Sequence, residues 1–148
     1  MKRHNEILAR IALEKAENAL QDACNSIDIS LFVVQNRAYY SVFYIVSALA
    51  YLDDFVTKSH HKLMGQFNKR YIYQNTIFDK SLIKIYRSLI VNRELTDYDF
   101  TSKPVKENVI KDVENAKLFI DTVKPYILKM LDNQWISKYN NFLKYNYK

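Results

Sequence analysis

From Asn36 to Leu52 the chain is apolar at nearly every position and holds neither Gly nor Pro, as expected of a helix surrounded by other helices. At helical spacing Ala38, Val42, Ile45, Val46, Leu49 and Leu52 form a broad apolar side. Arg37, Tyr40, Ser41, Tyr44 and Ser47 fall on a second stripe, at i, i+3, i+4, i+7 and i+10. A mostly buried helix thus carries one guanidinium and a row of hydroxyls, which require either a polar helix or a cleft opposite them. A membrane span is excluded, because Gln35, Asn36 and Arg37 interrupt the run and the part from Val42 to Leu52 is too short to cross a bilayer.

The same periodicity places the other helices. A first helix is expected from about Lys2 to Ala23, with Leu8, Ala12, Ala16, Ala19 and Ala23 on one face and Ile11 and Leu20 beside them. Such a small-residue stripe lets another helix approach closely. Asn25 to Asp28 breaks it, since Asn, Ser and Asp compete with the helix for backbone hydrogen bonds, and the central helix then runs from Ile29 or Ser30 to Asp53–Asp54. Ser59 is the expected N-cap of a short third helix through Phe67, and Arg70 to Phe78 reads as loop because a lone strand there has nothing to pair with. A fourth helix is expected over about Asp79 to Asp97 with Leu82, Ile85, Leu89, Tyr86 and Ile90 inside. Pro104 suits the first turn of a fifth, whose Val109, Val113, Ala116, Ile120, Val123, Ile127 and Met130 repeat in threes and fours; Pro125 predicts a kink or a restart. The fold class is all-α: an up-and-down bundle of four long helices plus one short one over residues 1–130, followed by a basic aromatic extension over 131–148.

Composition narrows this further. A single Gly and two Pro in 148 residues leave little material for tight turns and favour long helices. The one cysteine, Cys24, forms no internal disulfide and reads as small core filler in a protein of the reducing cytoplasm, and Met1 to Arg10 lacks the apolar centre of a signal peptide. A net charge of +6 favours anionic partners, nucleic acid among them. No Gly-rich phosphate loop and no metal-spaced cluster is present. His60 and His61 are neighbours pointing about 100° apart on a helix, so they do not readily share one ion. The expectation is that one packs locally and the other is exposed; no metal and no cofactor is called for.

Three clusters carry candidate chemistry. Arg93 through Phe100 packs an arginine, two aspartates and a tyrosine into a helix end, and Arg93 with Asp97 also makes an ordinary i, i+4 ion pair. Asn36–Arg37 with Tyr40 and Tyr44 sets an arginine on an apolar helix, where it must pair either with an aspartate such as Asp97 or Asp99 or with a ligand phosphate. In the tail, lysines alternate with Trp135, Tyr139 and Phe142, which suits either packing on the bundle or a second subunit, or single-stranded RNA.

With those residues named, the chain resembles the HEPN-domain family in its small stand-alone prokaryotic branch. The likeness rests on Asn36-Arg37-Ala38-Tyr39-Tyr40 followed by Phe43, on Ser59-His60 leading to Phe67, and on Arg93 followed by Asp97-Tyr98-Asp99, and it spans roughly Ala9 to Val123. The resemblance implies a helical bundle that dimerises with the late fourth-helix motifs of two subunits sharing a cleft. Many such proteins are metal-independent endoribonucleases with Arg followed, after four to six residues, by His; Arg steadies the phosphate while His moves the proton of the attacking 2′-hydroxyl. This chain departs from that pattern: Tyr98 stands at the histidine position, and a phenol titrating near about 10 is a poor base at neutral pH. In a toxin–antitoxin subgroup a later tyrosine is adenylylated by a partner nucleotidyltransferase; here that position is Phe100, without a hydroxyl.

The expected function is therefore a cytoplasmic homodimer binding nucleotide or RNA through Arg37, Tyr40, Asn36, Asp97, His60, Arg93 and Tyr98, as the partner of a minimal nucleotidyltransferase in a toxin–antitoxin or defence pair. One alternative is an RNA-cleaving toxin in which Tyr98 or His60 replaces the missing base. The other is a structural module whose charges only pair with one another.

Overall fold

Helix-forming runs and their caps divide the chain as α1 (Arg3–Asn25), α2 (Leu31–Leu52), α3 (His60–Phe67), α4 (Ser81–Tyr98) and α5 (Lys106–Asn146). These come from a computed structural model that describes residues 3–99 and 101–146, without the side chains at 134–139, 142, 145 and 146. Four long helices and one short one make the all-α bundle that the hydrophobic pattern predicts. No helix among the described residues is long and apolar enough to cross a membrane.

The caps are chemical. Ser30 and Ser59 are extended and accept, through their hydroxyls, from the N–H groups of Val33 and Lys62, so both serines open helices. The end of α2 is a Schellman turn: Asp54 sits in the left-handed region at φ 56°, and the Phe55 N–H reaches back to the Ala50 carbonyl. In a chain with one Gly, an Asp fills the slot that Gly usually takes; its carboxylate accepts from Asn5 Nδ2 at 3.1 Å, tying the turn to α1.

α1 lies along α2 through buried Ala9, Ala12, Ala16, Ala19 and Ala23. Ala38, Val42, Ile45, Val46 and Leu49 of α2 meet α4 and α5, whose Leu82, Ile85, Leu89, Ile90, Val109, Val113, Ile120 and Val123 are all buried. Burying such side chains contributes about 1.5–3 kcal/mol apiece, so this interlayer core holds the site's helices in register.

Five expectations are corrected. Residues 70–74 are not loop: α3 runs on into a π-helical stretch, Asn68–Gln74, that buries Tyr71 and Ile72 and lets the Tyr71 hydroxyl donate to Asp53 at 2.6 Å. Cys24 is exposed, because it falls one position past the buried Ala23 and its side chain leaves that face. Ile11 is 46% exposed for the same reason, as α1 buries Ala9 and Leu13 instead. α5 begins at Lys106, so Pro104 precedes the helix rather than opening it. The helix also passes Pro125 without restarting; Pro125 lies on the exposed side, where water can satisfy the carbonyl its ring leaves unbonded. Of the tail, α5 carries the backbone to Asn146, while Trp135, Tyr139 and Phe142 lie outside the described side chains and Phe100 outside the described residues.

Candidate functional site

The site is built where α3 docks on α2 and α4. Ser59 starts α3 so that its first two residues face in different directions, which separates the two histidines as their spacing predicts. His61 is exposed and its Nε2 lies 2.7 Å from Glu94 Oε1, a bond that holds α3 to α4. His60 turns inward: its ring stacks on Phe43 with centroids 4.5 Å apart, and its Nδ1 lies 2.6 Å from the Tyr39 hydroxyl.

Tyr39 is fully buried, and no other acceptor for its proton occurs among the described residues. The phenol therefore donates to Nδ1, and the neutral His60 imidazole carries its proton on Nε2. Burial pushes the Tyr39 phenol up against the pull of nearby Arg93, which keeps it a donor. Burial, Arg93 and His61 together lower His60 below its ordinary value, which keeps it neutral. His60 Nε2 has no protein partner among the described residues.

Arg93 completes the cluster from α4. Its guanidinium carbon lies 5.3 Å and 5.5 Å from the ring centroids of Tyr39 and Tyr40, so the cation sits on two aromatic faces. Nη2 reaches the Tyr40 hydroxyl at 3.5 Å, and Nε lies 2.8 Å from Asp97 Oδ2. That second contact is an ion pair rather than an aligned hydrogen bond: the Nε–H is buried and points at no acceptor among the described residues. With its side chain only 16% exposed, Arg93 is largely desolvated yet keeps donor capacity.

Of the residues that the sequence singles out, Arg93, Asp97, Tyr40 and His60 come together. Arg37 adjoins them, its guanidinium 5.2 Å from the Tyr40 ring, but the aspartate expected to hold it does not. Asn36 Oδ1 accepts from Arg37 Nη2 and Nε at 2.8 and 3.1 Å, while Asp97 faces Arg93 and Asp99 accepts from Thr101. A neighbouring amide suffices because Arg37 is only half-buried. Tyr98 stands apart in the single chain. It is 74% exposed and lines a shallow cleft with Val91, Glu94, Leu95 and Asp99, because five positions past Arg93 is not the same helix face. The serines of the α2 stripe bond backbone carbonyls instead, Ser41 to Ala38 and Ser47 to Phe43. Sequence reasoning missed Tyr39 as a site residue; its neighbour Tyr40 carried the helical register, and only contact with α3 shows what the phenol does.

On the other side of α4 lies a second polar cluster. Buried Gln35 donates from Nε2 to Asp112 Oδ2 at 3.3 Å, and Asn92 Nδ2 lies 3.2 Å from both oxygens of the same carboxylate. The Thr96 hydroxyl meets Gln35 Oε1. Burial raises Asp112 above the usual carboxylate range, partly offset by the two amides.

Over 117 residues the chain is 28% identical to a Methanocaldococcus jannaschii protein whose name describes it as a candidate toxin, covering 78% of this chain and 79% of that one. Over 92 residues it is 29% identical to a UPF0332 protein of Thermotoga maritima, covering 62% of this chain and 69% of the relative. The HEPN domain model matches residues 9–126, which reach into all five helices and include every residue of the cluster around Arg93, and the chain belongs to the HEPN family.

Proposed function

We propose that this protein is a toxin-type HEPN protein that grips an RNA or nucleotide phosphate between Arg93 and His60, with Tyr40 and Arg37 at the rim. The observation that carries the reading is the Arg93 guanidinium, laid on two aromatic rings, mostly desolvated and held on its Nε side by Asp97. A phosphate oxygen suits the terminal N–H groups of that guanidinium, and a charge-assisted bond in a partly dry site is stronger than one in water. His60 adds a neutral Nε2–H donor, fixed by Tyr39. Asp97 orients the arginine from outside, and Tyr40 supplies a ring for stacking and a hydroxyl.

Two partners belong to the reading. The exposed apolar stripe Val91, Leu95 and Tyr98 on α4 suits a second copy, in which Tyr98 of one chain would approach the cleft of the other. A minimal nucleotidyltransferase in a toxin–antitoxin pair suits the candidate-toxin relative, though its target here is not the position that Phe100 occupies.

A second reading, metal-independent RNA cleavage, is favoured at one point: His60 lies beside Arg93, so an imidazole is available where Tyr98 is not. The tautomer speaks against it, since with Nδ1 taken by Tyr39 the outward nitrogen already bears a proton and is no base. The test is incubation of a mixed-sequence single-stranded RNA in EDTA with the wild type, Arg93→Ala, His60→Ala and Tyr98→His, with binding measured in parallel. Binding without cleavage by the wild type, lost in Arg93→Ala, supports the phosphate cleft. Cleavage lost in both Arg93→Ala and His60→Ala establishes the ribonuclease with His60 as proton carrier. Unchanged binding in Arg93→Ala removes the site from consideration.

A further inference from the structure

The cleft on the far side of α4 has a polarity of its own. It encloses about 330 Å³ between the end of α4, the connection 102–105 and the first turns of α5. Its inner wall is Asp112, 4% exposed, with Gln35, Asn92 and Thr96; its mouth carries the exposed lysines Lys103 and Lys111. A carboxylate this deep ordinarily has a cationic partner, yet among the described residues Asp112 meets only neutral amides, at 3.2 to 3.3 Å. A carboxylate offers about four acceptor positions, and the two amides fill three of them, two of these by sharing one Asn92 nitrogen. One position is left for a single N–H donor.

We infer that this cleft is a base-recognition pocket that takes a nucleotide whose base bears an exocyclic amino group, with the amino group on Asp112 and the phosphate at Lys103 and Lys111. The lysines disfavour a cationic occupant such as an arginine or lysine side chain from another protein. An acidic floor below a basic rim instead fits a ligand that is a donor at one end and an anion at the other. The volume lies near the lower end for small-molecule pockets, about 300–1,000 Å³, and suits one nucleotide. Cytosine, adenine and guanine each present such an amino group; uracil has none, and its one ring donor, N3–H, is flanked by two carbonyl oxygens that the carboxylate repels. The inference rests on the phosphate-cleft reading only for its setting in RNA recognition, and the pocket stands or falls on separate residues.

The test is titration of the full-length protein with CMP, AMP, GMP and UMP, followed by amide chemical shifts, and then with C- and U-containing RNA trinucleotides. At least one amino-bearing nucleotide is expected to shift the resonances of Asn92 and Asp112 and to bind about tenfold tighter than UMP, because a buried acceptor disfavours a ligand whose sole base donor sits between two carbonyl oxygens. The double variant Lys103→Ala/Lys111→Ala, exposed and clear of the core, is expected to weaken binding about tenfold, and Asp112→Asn to abolish the preference over UMP. Tighter binding of CMP than of its trinucleotide identifies a free nucleotide as the occupant, the reverse order an RNA base; both support the pocket. Equal affinity for UMP, no binding at all, or an unchanged affinity in the lysine variant overturns it. The Arg93→Ala result with long RNA is read separately: RNA binding lost there with nucleotides failing here removes the pocket and keeps the phosphate cleft.

Discussion

The two faces of α4 solve opposite electrostatic problems. On one, Arg93 is a cation cushioned by Tyr39 and Tyr40 and balanced by Asp97, whose side chain is 35% exposed. On the other, Asp112 is an anion enclosed by Gln35 and Asn92 with no balancing charge among the described residues. The neighbouring positions Asn92 and Arg93 of α4 thus serve an unpaired anion with a spare acceptor on one side and a paired cation with spare donors on the other. A charge whose partner can turn to solvent, as Asp97 can, is removable at smaller cost to the fold. A charge held by two amides is not, because those amides lose the acceptor they share.

That difference predicts unequal stability losses. Asp112→Ala, which strands both amides, is expected to cost about 2–3 kcal/mol in a urea or thermal melt. Arg93→Ala is expected to cost about 1–2 kcal/mol, the ring contacts being lost while Asp97 can turn to water, and its RNA affinity falls. A larger loss for Arg93→Ala than for Asp112→Ala would reverse the comparison and make the arginine a structural element.

The smallest effect is in the pH response, where the two sides have opposite signs. His60 is held below 6.5 in the folded protein, so as pH falls through that range the unfolded chain takes up a proton first and stability drops. His60→Gln is expected to flatten this part of the stability profile. Asp112 is held above 3.8, so the folded state takes up its proton first; its contribution is fully present below 3.8 and is lost as pH rises through the folded value. Melts of the two variants across pH 3 to 8 compare the slopes directly; matching slopes for His60→Gln and the wild type near pH 6 would show that the imidazole titrates freely.

Much of the molecule was legible in the chain itself. Ser30 and Ser59 open helices because a hydroxyl satisfies an N–H three residues on, and the buried faces of α2, α4 and α5 follow from threes and fours. Arg93 with Asp97 was readable as an i, i+4 pair, and the Asn36-to-Tyr40 motif marked the surface of α2 that Arg93 meets. These features depend on residues within a turn or two of one another, so the order of residue types is enough to determine them.

Only the tertiary structure decided what meets across helices. Tyr39 with His60, Tyr40 with Arg93 and Gln35 with Asp112 stand 21, 53 and 77 positions apart, and no periodicity links them. The His61–Glu94 bond joins α3 to α4, and the π-helical stretch after α3 carries Tyr71 to Asp53. Sequence determines which faces seek cover; packing of several helices at once determines which polar group each face delivers, and the two charge clusters on α4 exist only after that choice is made.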